Sequence, residues 1–251
     1  MKKIMVGNWK MNPGTLEEGK KLLEKLNDVA APLARTEVVI CPPTIFLASL
    51  HDSGGKIAIG AQNAAYSDVA EHTGGTSPLS LADMGIKYVI LGHSDRRGGG
   101  ESSEDVGKKV ESALSNGLMP IVCFGEKMRD ADGEYLGEIK TQILAAVSGV
   151  AEGDAEKLIV AYEPVWAIGP TATRAATPDD LREVVALTRT TLAEHFGSAA
   201  EKIPLLYGGS ANADNAKTYL ESGADGLLVG RASRSAENFG AMLQVAEAME
   251  E

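Results

Sequence analysis

The sequence has few of the features that anchor or cross-link particular classes of protein. Only two of its 251 residues are cysteines, Cys41 and Cys123, and both lie in or beside short apolar segments. This favours buried free thiols in a reducing compartment over a disulfide-stabilised secreted fold. No segment approaches the roughly 18 apolar residues of a transmembrane helix, and the apolar part of residues 1–8 is too short for a signal peptide. We therefore expect a cytoplasmic protein with no membrane partner.

Positive charge is also scarce. The chain has 24 Lys and Arg against 35 Asp and Glu, which gives a net charge of −11. Such a balance argues against nucleic acid or an anionic membrane as a partner. It does not exclude a small anionic substrate, which responds to the local field of a site. The length suits one domain, residues 1–251, whose core needs neither a metal nor a disulfide for stability.

Short apolar segments alternate with amphipathic segments along the whole chain. The apolar segments predict eight strands, at residues 4–8, 38–41, 57–61, 88–92, 119–124, 158–163, 204–208 and 226–230. The longer amphipathic segments predict helices, at residues 16–26, 104–115, 134–147, 178–195, 213–221 and 236–249. This alternation predicts parallel pairing with right-handed crossovers. Eight units in this length favour an α/β fold of the closed (β/α)8 type over an open doubly wound sheet.

Three charged or polar residues follow predicted strands, where such barrels place their active sites. Glu163 is followed by apolar loop residues that would exclude water and make it a stronger base. His93 precedes a predicted short helix, whose N-terminus would keep the imidazole neutral. Lys10 could bring positive charge to a phosphate or an oxyanion. Each also has a simpler interpretation: a surface ion pair, a histidine packed at a turn and a solvated lysine.

Glycine-rich loops follow the seventh and eighth predicted strands. They contain Gly208, Gly209 and Ser210 in the first and Gly230 and Arg231 in the second. Glycine lets backbone N–H groups approach an anion, and these two loops are the usual phosphate site of a (β/α)8 barrel. The alternative is two tight turns that bind nothing.

Taken together, seven segments closely resemble the triosephosphate isomerase family. They lie at residues 7–12, 60–63, 92–97, 121–126, 161–169, 206–210 and 212–216. The resemblance covers the whole chain and implies a single-domain TIM barrel. It also implies an enzyme of glycolysis and gluconeogenesis that interconverts D-glyceraldehyde 3-phosphate and dihydroxyacetone phosphate through an enediol(ate). No metal and no cofactor are implied.

The resemblance assigns roles by position. Glu163 would remove the proton, neutral His93 would polarise the carbonyl and move protons between the oxygens, and Lys10 would stabilise the enediolate. Asn8 would hydrogen-bond the substrate oxygens, and Ile168 and Leu228 would crowd the carboxylate. The phosphate would be held by Lys10, by Gly169 in a closing loop, and by Gly209, Ser210, Gly230 and Arg231.

Three departures from the family pattern affect the site. Asp95 replaces a glutamate, which we expect to loosen a contact with Lys10. The loop that follows Gly169 is two residues longer, from Pro170 to Ala176, and we expect altered closing kinetics. Arg231 replaces a glycine and could add charge to the site or admit a longer sugar phosphate.

The resemblance also implies a homodimer, in which the loop at residues 63–75 inserts beside the partner's active site. Thr73 is kept, but Gly75 replaces an acidic residue, so a weaker interface is expected. Two alternatives to the triose isomerase remain: an isomerase of a four-carbon ketose phosphate, and a barrel that binds without catalysis. The second is disfavoured because Lys10, His93 and Glu163 are all present.

Overall fold

Eight parallel strands close into a barrel in the order in which they occur in the chain. The computed structural model describes residues 2–67, 73–169, 172 and 174–249. The strands are β1 (Lys3–Asn8), β2 (Thr36–Cys41), β3 (Ala58–Ala61), β4 (Tyr88–Leu91), β5 (Met119–Phe124), β6 (Ile159–Tyr162), β7 (Leu205–Tyr207) and β8 (Gly226–Val229). Pairing of β1 with β8 closes the sheet, with Val6 opposite Leu228. The predicted (β/α)8 barrel is confirmed.

In the described part of the chain, nine α-helices surround the barrel. They are α1 (Leu16–Ala30), α2 (Leu47–His51), α3 (Pro78–Asp83), α4 (Ser94–Gly98), α5 (Ser103–Ser115), α6 (Glu134–Val147), α7 (Pro178–Phe196), α8 (Ala216–Glu221) and α9 (Ala236–Ala248). The prediction missed α2 and α3, since segments of five and six residues are too short to show helical periodicity.

Helix α8 begins three residues later than predicted. The Asn212 side chain accepts hydrogen bonds from the backbone N–H groups of Asp214 and Asn215, and Asn215 accepts one from Asn212. These local bonds give the backbone an alternative to helix and delay its start. At α7 the predicted start is confirmed, because Thr177 caps the helix and forms a capping box with Asp180.

The apolar core forms two layers. One fills the inside of the barrel with residues such as Val6, Ile90 and Leu206, and the other lies between the strands and the helices. Cys41 and Cys123 are buried free thiols, as predicted, and burial raises the pKa of both well above the ordinary value. No helix among the described residues is long and apolar enough to cross a membrane.

Candidate active site

Glu163 follows β6 and is buried at the rim of the barrel, with 3% of its surface exposed. Its Oε2 accepts a hydrogen bond from the backbone N–H of Ser94 at 2.9 Å, and its Oε1 lies 3.0 Å from Nε2 of His93. The Ser94 hydroxyl lies 3.4 Å from Oε1. The carboxylate is therefore held against the loop that follows β4, beside the imidazole.

Gly125 and Gly208 make room for Glu163, because neither has a side chain. A Cβ atom at Gly208 would lie 3.0 Å from Cγ of Glu163, and a Cβ at Gly125 would lie 1.8 Å from the Glu163 carbonyl oxygen. The second distance is impossible for real atoms, so a side chain at Gly125 would displace the backbone of Glu163. The strands on both sides of β6 are thus each followed by a glycine where the chain approaches this residue.

His93 is the N-cap of α4, in line with the predicted short helix. Its Nδ1 accepts a hydrogen bond from the backbone N–H of Asp95 at 3.0 Å. Because that N–H can only donate, Nδ1 carries no proton, and the neutral ring has its proton on Nε2. Nε2–H points to Oε1 of Glu163, so His93 is a neutral donor whose N–H faces the candidate base.

Lys10 has a left-handed backbone conformation, with φ of 53°, the one positive φ at a non-glycine position in the described part of the chain. Its N–H donates to Oδ1 of Asn8 at 3.0 Å, and its carbonyl accepts from Nε2 of Gln62 at 2.8 Å. Backbone strain of this kind persists only where the surroundings hold it, and such positions cluster at functional sites. Asn8 thus orients Lys10, and Gln62, which sequence analysis left without a role, completes the support.

The shorter side chain of Asp95 does not lose its contact with Lys10. Lys10 Nζ donates to Oδ2 of Asp95 at 2.8 Å, so the expected loosening is wrong in the structure. Partial burial acts to raise the pKa of Asp95, but the hydrogen bond from Lys10 and the electrostatic attraction of His93 and Lys10 together outweigh it, and the pKa lies below its ordinary value. The pair links the loops after β1 and β4.

The predicted phosphate loops lie at the same rim. The Ser210 hydroxyl donates to the carbonyl oxygen of Ala167 at 3.3 Å, which joins the loop after β7 to the loop after β6. Gly230 precedes a short 3₁₀ helix, Arg231–Arg234, and Arg231 is exposed. Gly169 is exposed with φ of +77°. In the longer loop, Pro170, Thr171 and Thr173 lie outside the described residues, so the prediction about its closing kinetics stays a prediction.

A buried carboxylate that sequence analysis left without a role holds the start of the loop after β6. Oε1 of Glu126 accepts hydrogen bonds from the Trp166 indole at 2.6 Å, from the Tyr162 hydroxyl at 2.9 Å and from Nε of Arg129 at 2.9 Å. Burial acts to lower the pKa of Arg129, but its bonds to Glu126 and Tyr162 outweigh this and raise it. This cluster fixes Trp166, three residues after Glu163.

Replacing Arg129 should destabilise the fold. In Arg129→Met the fully buried Glu126 loses its only cationic contact among the described residues, and breaking such a pair costs about 3 kcal/mol. Denaturant unfolding measures the loss. The control is Arg182→Met, whose pair with Asp179 is exposed and should contribute less than about 1 kcal/mol. Equal free energies of unfolding for the two variants would contradict the expectation.

Among the residues that the structure describes, no group of three or more His, Cys, Asp or Glu side chains could hold a metal ion. The rim instead carries a buried carboxylate, a neutral imidazole and a lysine. A closed (β/α)8 barrel with these groups at the carboxyl ends of its strands defines a class of enzyme that moves protons on a small anionic substrate.

The comparisons give the family. A family model described as Triosephosphate isomerase matches residues 3–246. The chain is 40% identical over 248 residues to the triosephosphate isomerase of Clostridium novyi (96% of this chain, 98% of the relative). It is 43% identical over 242 residues to that of Caldanaerobacter subterraneus (94% and 96%).

Among solved structures, the chain is similar to the crystal structure of triosephosphate isomerase from Bartonella henselae, with a TM-score of 0.86 and 32% identity. The match covers 98% of this chain and 99% of the other. The chain belongs to the triosephosphate isomerase family, and the resemblance found in the sequence is confirmed.

Proposed function

We propose that this protein interconverts D-glyceraldehyde 3-phosphate and dihydroxyacetone phosphate through an enediolate, in glycolysis and gluconeogenesis. Family membership supports the reaction. The observation that carries the assignment of residues is the buried pairing of the Glu163 carboxylate with Nε2–H of His93, at 3.0 Å. It sets a base and a neutral hydrogen-bond donor side by side at the rim of the barrel.

The proton transfer follows from these positions. Glu163 takes a proton from the carbon beside the substrate carbonyl. The electron pair of that C–H bond forms a C=C double bond, and the π electrons of the carbonyl move onto its oxygen. Nε2–H of His93 hydrogen-bonds this oxygen and then moves a proton between the two oxygens. Glu163 returns its proton to the neighbouring carbon. Lys10 stabilises the negative charge that develops on the oxygens, and Asn8 supports Lys10 while it also hydrogen-bonds the substrate.

Glu163 must leave its bond to the Ser94 N–H before it can reach a substrate carbon. In our proposal, this arrangement, in which polar contacts satisfy the carboxylate, is its resting position. A bound substrate would compete with Glu163 for the Nε2–H of His93, and the carboxylate would then move towards the substrate carbon. Cβ of Leu228 and Cγ of Glu163 both lie within 4 Å of the point that a Cβ at Gly208 would occupy, and Ile168 follows in the loop. In our proposal these apolar groups flank the carboxylate and keep water away.

The phosphate is assigned to the loops after β6, β7 and β8. Gly169, Gly209, Ser210, Gly230 and the backbone of Arg231 would donate to its oxygens, as helix N-termini and glycine loops do for anions. Lys10 adds positive charge from the loop after β1. We assign no metal or cofactor to the reaction, because a proton transfer between adjacent carbons needs only a base, an acid and charge stabilisation.

Turnover of purified protein tests this function against the alternatives. We expect D-glyceraldehyde 3-phosphate to be the better substrate, with a four-carbon ketose phosphate measured alongside. The exposed Arg231 side chain is the observation that favours the longer sugar, so Arg231→Gly should lower kcat/KM for that substrate alone if it is used. A higher kcat/KM for the four-carbon sugar would replace the proposal, and no turnover of either would indicate a non-catalytic barrel.

We also place the protein in the cytoplasm as a homodimer, with residues 1–251 as one catalytic unit and no nucleic-acid or membrane partner. Four large apolar side chains support the dimer: Met11 is 89% exposed, Ile45 84%, Leu79 57% and Tyr66 42%. Met11, Ile45 and Tyr66 follow β1, β2 and β3, so they share one side of the rim. Exposed apolar surface of this kind marks an interface. Residues 68–72 of the inserting loop lie outside the described residues.

Ile45→Asp should weaken the dimer. A buried, unpaired carboxylate at an interface is unfavourable, so sedimentation at micromolar concentration should shift from dimer towards monomer. Activity should fall with it, because Lys10 precedes the interface residue Met11. The control is Met128→Asp, at a 73% exposed residue in the loop after β5. A monomeric unaltered protein, or an equal effect of the two variants, would refute the interface.

A further inference from the structure

Arg174 connects the two ends of the loop that follows Glu163. Its guanidinium carbon lies 4.5 Å from the centre of the Trp166 ring, near the start of the loop. Its Nη2 donates to Oδ1 of Asp180 at 3.0 Å, and its Nη1 also pairs with this carboxylate. Asp180 belongs to the first turn of α7 and takes part in the capping box. One side chain thus bridges the loop's entry and the helix at its exit.

Arg129 forms a second, more buried part of the same arrangement. Its guanidinium carbon lies 5.3 Å from the Trp166 ring centre, and its Nη1 donates to Oδ1 of Asp180 at 2.9 Å. The side chain of Arg129 is 15% exposed, whereas that of Arg174 is 50% exposed. Arg129 is therefore the buried contact of Trp166, and Arg174 is its contact on the solvent side.

The position of Trp166 matters for the base. Residues Val165–Ala167 form a 3₁₀ turn directly after Glu163 and Pro164. This turn is held by three bonds: Val165 N–H to the Glu126 carbonyl, the Trp166 indole to the Glu126 carboxylate, and Ser210 to the Ala167 carbonyl. In this state Glu163 rests on Ser94. A ligand that drew residues 165–167 towards its phosphate would have to break these bonds and move the Trp166 ring.

We propose that Arg174 is a positioning residue that stabilises the resting arrangement of Trp166 and thereby sets how readily the turn at Val165–Ala167 moves towards a bound phosphate. The proposal rests on the proposed function. A contact made only in the resting arrangement opposes every ligand that needs the other arrangement. Removing the contact should raise the affinity for such a ligand by the strength of one partly exposed cation–π pair, about two- to fivefold.

The affinity test uses 2-phosphoglycolate, a small phosphocarboxylate whose carboxylate stands in for the enediolate. Calorimetry should give a Kd about two- to fivefold lower for Arg174→Gln than for the unaltered protein. The matched control is Arg182→Gln, which removes the same charge from an exposed pair one turn into α7 and should leave the Kd unchanged. An unchanged or higher Kd in Arg174→Gln would overturn the proposal.

A second measurement requires no ligand. Trp9 is fully buried, so acrylamide quenching of fluorescence reports mainly on Trp166. Quenching should increase in Arg174→Gln and stay unchanged in Arg182→Gln, and equal quenching in all three proteins would count against the proposal. If the unaltered protein neither binds 2-phosphoglycolate nor turns over the triose, the proposed function fails, while quenching still tests the contact.

A double-mutant cycle separates an effect through Trp166 from a general effect on the loop. Phenylalanine offers a weaker face to a cation than tryptophan does. In the Trp166→Phe background, the fold-change in Kd caused by Arg174→Gln should therefore be less than half of the fold-change that the same substitution causes in the unaltered protein. An equal effect in both backgrounds would show that Arg174 does not act through Trp166.

Discussion

Glu163→Gln should lower kcat about 10²- to 10⁴-fold, the typical contribution of a positioned general base. The carboxamide has nearly the same shape and can still accept the Ser94 N–H bond, so the resting geometry should survive. It cannot take up a proton at neutral pH, so the first step of the reaction stops. Steady-state turnover of D-glyceraldehyde 3-phosphate measures the loss.

Glu17→Gln is the matched control for this variant. It makes the same chemical change at an exposed residue of α1 that pairs with Lys21. Its kcat should equal that of the unaltered protein, and thermal unfolding should show both variants folded. If Glu163→Gln kept more than a tenth of the original kcat, Glu163 would not be the base.

His93→Asn should also lower kcat by about 10²- to 10⁴-fold while it leaves the fold intact. Asparagine is a preferred N-cap, and its Oδ1 takes the place of Nδ1 as acceptor for the Asp95 N–H. It has no atom at the position of Nε2, so the donor that faces Glu163 is lost. The variant thus removes the chemistry of His93 but keeps its structural bond.

His93→Ala separates the two roles. Alanine loses both the donor and the cap, so it should lower kcat similarly and also destabilise α4, by about 1 kcal/mol. Denaturant unfolding distinguishes the two variants. If His93→Asn were fully active, the simpler interpretation of His93, a histidine packed at a turn, would be correct.

The barrel was predictable because its strands are buried on both faces. Such strands are continuous apolar segments, and these gave all eight strands to within two residues at each end. The parallel topology then puts every strand's carboxyl end at one rim. Glu163, His93 and Lys10 could therefore be placed together as candidates from the sequence, since each lies within two residues of the carboxyl end of a predicted strand.

The supporting contacts could not be predicted, because they join loops that are distant in the chain. Gln62 reaches the Lys10 carbonyl across 52 residues, and Arg129 reaches Asp180 across 51. No local pattern encodes such pairs; they depend on the way the barrel closes. The expectation for Asp95 was wrong for the same reason, since the distance to Lys10 depends on two loop conformations as well as on side-chain length.

Proton exchange with solvent tests the central claim most directly. Dihydroxyacetone phosphate is incubated with the protein in deuterium oxide, and magnetic resonance follows deuterium at the carbon beside the carbonyl. We predict that the unaltered protein introduces deuterium as it isomerises the substrate, and that Glu163→Gln introduces almost none. Deuterium uptake at equal rates in both proteins would contradict the assignment of Glu163 as the base that forms the enediolate.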